Sequence, residues 1–81
     1  MILFTKTGCG KCDYVKARIP AQAEIRFFEI DTPSGLAELA YQSYWHPGIV
    51  ELAKRELPIL VADRVVSGAV PIVRALEGAQ R

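Results

Sequence analysis

Eighty-one residues suffice for one domain, whose core buries about 60–65% of the unfolded surface. Apolar residues make up 51% and charged residues 23%, a balance that favours a packed fold over disorder. The net charge is +1 with signs mixed along the chain, so no basic block exists to draw a nucleic acid.

The chain starts Met1-Ile2-Leu3-Phe4-Thr5-Lys6. This apolar run is too short for a secretory signal, and no stretch is long enough to span a membrane. The expectation is a cytoplasmic protein. There thiols stay reduced, and two cysteines close together point to catalysis or metal binding rather than to a structural staple.

Ile2–Thr5 reads as a short buried strand, bounded by Gly8-Cys9-Gly10. A helix is expected over Lys11–Ile19, with Cys12, Val15 and Ile19 on one face and Pro20 as its stop. Ile25–Ile30 is rich in β-formers and reads as the second strand. The helix between the two makes a parallel crossover unit, right-handed by default. Thr32 and Pro33 signal the next helix, one as cap and one at its first position. Leu36, Leu39, Ala40 and Ser43 are its expected inner face, and His46-Pro47-Gly48 breaks it. Helix resumes over Ile49–Glu56. Leu57–Ala62 reads as the third strand, with Pro58 at its first position, where a missing N–H is tolerated. Asp63-Arg64 turns into a fourth strand, Val65–Ser67. Val70–Glu77 is the last helix, with Pro71 in its first turn, Gly78 as its stop, and Ala69, Ile72, Val73 and Leu76 towards the core. The fold class is therefore α/β, β-α-β-α-(α)-β-β-α, a small four-stranded mixed sheet with helices on both faces.

Both cysteines of the chain lie in Cys9-Gly10-Lys11-Cys12, where a strand hands over to a helix. That placement suits dithiol–disulfide chemistry. Cys9 is the candidate nucleophile, because a helix N-terminus and nearby Lys11 and Lys6 favour a thiolate. Cys12, one turn inside the helix, is the candidate resolving thiol. Gly10 leaves room for a substrate backbone. If the third strand runs antiparallel to the first, Leu57-Pro58 lies beside Cys9, and the fourth strand returns Ser67-Gly68 to the same edge. Cys9–Cys12, Leu57-Pro58 and Ser67–Ala69 then form one groove. Tyr41, Tyr44, Trp45 and His46 form a separate aromatic cluster, read as packing or as a patch for a partner.

The order of elements, Cys9-Gly10-Lys11-Cys12, Leu57-Pro58 and Val66-Ser67-Gly68 together resemble the thioredoxin superfamily, and the short N-terminus resembles its glutaredoxin branch. The resemblance covers nearly the whole chain. It implies a thiol–disulfide oxidoreductase that needs no cofactor beyond the redox-active Cys9–Cys12 pair, and it implies a cis Leu57-Pro58 bond that exposes the Leu57 backbone to an extended substrate. Glutaredoxins typically carry Gly-Gly and then an acid after the fourth strand, to hold glutathione. Here Ser67-Gly68-Ala69-Val70-Pro71 has one glycine and no acid. In this the chain is closer to the small redoxins that serve ribonucleotide reductase (NrdH-type redoxins), though Val66 and Ala69 stand where those carry aromatics. The implied partners are protein disulfide substrates and a reductase donor, a thioredoxin reductase in preference to the glutathione system; a monomer is expected. From other classes come a metal or iron–sulfur module, for which one Cys-x-x-Cys supplies two of four ligands and a dimer, bound glutathione or His46 would have to complete the set, and a partner-binding domain without catalysis.

Overall fold

The computed structural model describes residues 1–78. Its elements are β1 (Ile2–Thr5), α1 (Gly10–Lys16), β2 (Arg26–Glu29), α2 (Pro33–Trp45), α3 (Ile49–Arg55), β3 (Ile59–Val61), β4 (Val65–Ser67) and α4 (Ala69–Gly78). Four strands form one mixed sheet in the order β2-β1-β3-β4. β1 runs parallel to β2, with Phe4 beside Phe28, and antiparallel to β3, with Phe4 beside Ile59. β3 and β4 form the hairpin, Ile59 opposite Ser67.

Alternation along the strands divides the core into two layers. Phe4, Ile59 and Val61 face α2 and α3, packing with Leu39, Ile49 and Ala53. Leu3 and Leu60 face α1 and α4, packing with Val15, Ile72 and Leu76. β1 is buried on both faces, Leu3 on one and Phe4 on the other, whereas β2 is an edge strand with Arg26 and Phe27 exposed.

Several boundaries differ from expectation, each for a local reason. α1 ends at Lys16 rather than Ile19. The N–H groups of Arg18 and Ile19 bond three residues back, to Val15 and Lys16, so the last turn tightens before Pro20. β2 lacks the flanking Ile25 and Ile30. β3 is half its expected length, and Pro58 precedes it instead of opening it. Pro58 has no N–H for the ladder, and the Ala62 N–H turns to the Arg64 carbonyl. α3 ends at Arg55, one residue early, and α4 begins at Ala69, one residue early. Gly78 is still helical, so where α4 stops lies outside the described residues.

α2 starts as its residues predict. Thr32 Oγ1 accepts the Gly35 N–H at 3.1 Å and Pro33 occupies the first turn. The inner face is different: Gly35 and Leu39 are buried, while Leu36 and Ala40 face outwards. The cause is a backbone approach. A Cβ on Gly35 would overlap the Glu29 carbonyl at the end of β2, so this glycine must face the sheet, and Leu36 is carried about 100° round the helix. Among the described residues no helix is long and apolar enough to cross a membrane.

Candidate active site

The loop after β1 is tied down on both sides. The Thr7 hydroxyl donates to Glu29 Oε2 at 3.0 Å and its N–H to Asp31 Oδ2 at 3.3 Å. Gly8 makes the turn at φ 74°, and Cys9 then caps α1. The Cys9 sulfur accepts the Cys12 N–H at 3.2 Å, while its carbonyl accepts the Asp13 N–H at 3.1 Å. Charge that forms on this sulfur, during attack or release, has a donor already aimed at it.

Cys9 and Cys12 are both free thiols, the first half-buried and the second wholly buried. Burial pushes the Cys12 thiol up to about 11, and its hydrogen bond with the Cys9 side chain adds to this; the Lys6 main-chain N–H pulls the other way. At neutral pH Cys12 is therefore a protonated thiol. The two cysteines differ in access, as the strand-to-helix placement predicts.

The remaining site residues fall on two sides of Cys9. On one, a groove of about 170 Å³ joins Cys9 to Lys6, Ala53, Lys54, Arg55, Glu56 and Leu57. On the other, a shallow groove of about 440 Å³ lies between α1 and α4, lined by Gly10, Lys11, Tyr14, Ala69 and Val70. Gly10 and Lys11 are exposed there, and the Arg18 guanidinium stacks 3.5 Å above the Tyr14 ring. The Leu57-Pro58 bond is cis, Leu57 is half-buried and Pro58 fully buried. The Pro58 carbonyl accepts the Gly68 N–H at 3.0 Å, which joins the third and fourth strands at this edge. Thus the three predicted segments do meet, but Pro58 and Gly68 contribute backbone beneath the surface, not open walls.

Ser67 points towards α3 and donates to Glu56 Oε2 at 3.4 Å. The same carboxylate lies over Gly68: a Cβ there would stand 2.8 Å from Glu56 Oε1, and the residue holds φ 91°. Glu56 was missed in the sequence, although it immediately precedes Leu57-Pro58. Its carboxylate stands beside Ser67 and Gly68, although no acid follows Gly68 in the chain. Lys54 and Arg55 were missed as well; with Lys6 they line this side, Lys54 paired with Glu51 at 3.2 Å.

Two further polar groups complete the picture. The Thr5 hydroxyl is buried without a hydrogen-bond partner among the described residues, next to the Lys6 N–H that meets Cys12. His46 lies in a groove with Met1, Ile2 and Val61–Asp63, at the start of β1, whereas Cys9 follows its end. His46 therefore cannot complete a metal site with the two cysteines in one chain. Among the described residues, no three His, Cys, Asp or Glu side chains gather as a ligand set.

No protein-family model, curated protein or solved structure matches the chain.

Proposed function

We propose that the chain is a thiol–disulfide oxidoreductase of the thioredoxin-fold type, closest to the small glutaredoxin-like redoxins, that reduces protein disulfides. The observation that carries this reading is the asymmetry of the two thiols: Cys9 is accessible and capped by the Cys12 N–H, whereas Cys12 is sealed and protonated. A Cys9 thiolate attacks the substrate disulfide. A Cys9–substrate disulfide forms, the substrate S–S bond breaks, and one substrate thiolate leaves. Cys12 then gives up its proton and attacks Cys9, which closes the Cys9–Cys12 disulfide and releases the second substrate thiol. Two electrons and two protons pass to the substrate. A reductase must then restore the dithiol. The half-buried Leu57 and the Tyr14–Val70 groove give an extended substrate two walls beside Cys9.

Cys9→Ser should abolish insulin-disulfide reduction, and Cys12→Ser should accumulate the mixed disulfide. Wild-type turnover by the Cys9→Ser variant would overturn the mechanism.

A second reading, a glutathione-coupled enzyme, is favoured by Glu56. The missing acid after Gly68 favours a protein donor, but the Glu56 carboxylate occupies that neighbourhood. Under this reading Glu56→Gln raises the KM for a glutathionylated substrate about tenfold, the loss of one charged hydrogen bond of ~1.4 kcal/mol. Under the first reading the rate with thioredoxin reductase and NADPH exceeds that with glutathione and glutathione reductase, and Glu56→Gln changes neither KM.

A further inference from the structure

Helix α2 is apolar on both sides. Opposite its buried face, Leu36 is 56% exposed, Tyr41 61%, Tyr44 79% and Trp45 61%, and Ala37 and Ala40 lie exposed between them. At 100° per residue these six cover about half the circumference without a gap. Tyr44 and Trp45 hold each other edge to face, ring centroids 5.0 Å apart. The only charged residue of the helix is Glu38, whose side chain is 17% exposed and turned to the border, where it meets Gln42 and Arg26. An outer helix face in water normally carries Lys, Arg or Glu; this one carries none.

The size of the face identifies its occupant. At roughly 150–250 Å² per aromatic side chain, the three exposed fractions leave about 300–500 Å² of aromatic surface. Leu36 and the two alanines raise this to roughly 450–700 Å², at the upper end of or above the ~300–600 Å² of the largest patch on a typical monomer. A stable interface takes about 600–800 Å² from each partner. The face is also free of charge, so two copies brought together do not repel each other. Its shape suits a twofold axis as well: the small Ala37 and Ala40 lie between bulkier ends, so two helices can approach closely where they cross. Finally, Trp45 sits at the start of β1, beside Met1, Ile2 and Val61–Asp63, while Cys9 follows the other end of that strand. A disulfide substrate held at Cys9 would leave the aromatic end of α2 uncovered.

We propose that this face is the twofold interface of a homodimer, α2 packed antiparallel against α2 of a second copy about Ala40, with both Cys9 thiols left open. The expected monomer gives way to a dimer under this proposal, which holds whichever donor reduces the cysteines.

The test is sedimentation velocity and light scattering on the full chain from about 1 to about 200 µM, a range that brackets a micromolar Kd. The expected mass at the upper end is twice 8.9 kDa. Trp45 is the only tryptophan, so its emission should shift to the blue along the same concentration curve, with no substitution needed. Ala40→Glu and Tyr44→Lys should each raise the dimer Kd at least about tenfold, with the far-UV circular dichroism unchanged. A mass of 8.9 kDa throughout overturns the proposal, whether or not the monomer then binds lipid vesicles or another protein. So does a dimer whose formation leaves the Trp45 emission unmoved. Should either variant fail to fold, the wild-type fluorescence curve decides alone.

Discussion

The Cys12 thiol makes a stability prediction whose sign and size can be worked out. Burial holds its pKa at about 11, against an ordinary value of 9.0. The folded state therefore keeps this proton where the unfolded chain has already lost it. Below pH 9 both states are protonated and the thiol's contribution is fully present. Between about pH 9 and 11 the unfolded state binds fewer protons, so stability falls as pH rises. Two units correspond to about 2–3 kcal/mol, half of it lost by pH 10; a small domain has only ~5–15 kcal/mol in total. Urea unfolding of the reduced protein at about pH 8, 9 and 10, compared with Cys12→Ala, isolates this share together with its interaction with Cys9, because the remaining groups titrate alike in both. Wild type should lose about 1.4 kcal/mol more than the variant between pH 8 and 10. Parallel curves would refute the claim that Cys12 is sealed from water. Under the proposed mechanism the same shift bears on turnover: release of product from the mixed disulfide would require the Cys12 proton to leave, so that step should quicken with pH across this window.

Two substitutions test the packing that positions the site. Gly35→Ala would gain up to ~1 kcal/mol from helix propensity alone, yet the new Cβ would overlap the Glu29 carbonyl; a net loss of about 1–3 kcal/mol in urea unfolding is expected, and any gain would contradict the close approach of α2 to β2. Thr5→Val keeps the shape and removes an unpartnered buried hydroxyl, so thermal unfolding should show no loss and a gain of up to ~2 kcal/mol; a loss above ~1 kcal/mol would mean that the hydroxyl has a structural partner.

The legible parts of the chain were those fixed by local chemistry. Thr32-Pro33 announces a helix start because a cap and a missing N–H are properties of two adjacent residues. β4 was read with its right ends because Asp63-Arg64 and Gly68 punctuate it. The Cys9–Cys12 pair was legible because the helix entry alone separates an exposed from a buried position. What escaped depends on distant atoms. Periodicity placed Leu36 and Ala40 inside α2, since both faces of that helix are apolar and the pattern has no polar side to orient it. The rotation is decided at Gly35, by a carbonyl six residues upstream on another element. The extent of β3 likewise depends on where the Ala62 N–H finds its acceptor across the turn.

Glu56 shows the same limit at the site itself. A motif argument looks for an acid where a family keeps it, in the residues that follow Gly68. What a ligand's ammonium group meets is a carboxylate at a point in space, and chain order is irrelevant to it. Here β3 and β4 pair so that Ser67 stands opposite Ile59, and the residues leading into β3 therefore pass beside Ser67 and Gly68. The last turn of α3 ends just before them, with Glu56 extended at φ −149° as its cap. Its side chain thus reaches the fourth strand from eleven residues away. The absence of an acid after Gly68 cannot by itself choose between a protein donor and glutathione, since the register of the hairpin returns one to the same edge. On the same side Lys54 is already paired with Glu51 at 3.2 Å, which leaves Lys6 and Arg55 beside the Glu56 carboxylate: under the glutathione reading a ligand would bring an ammonium group to Glu56 and a carboxylate to these two cations.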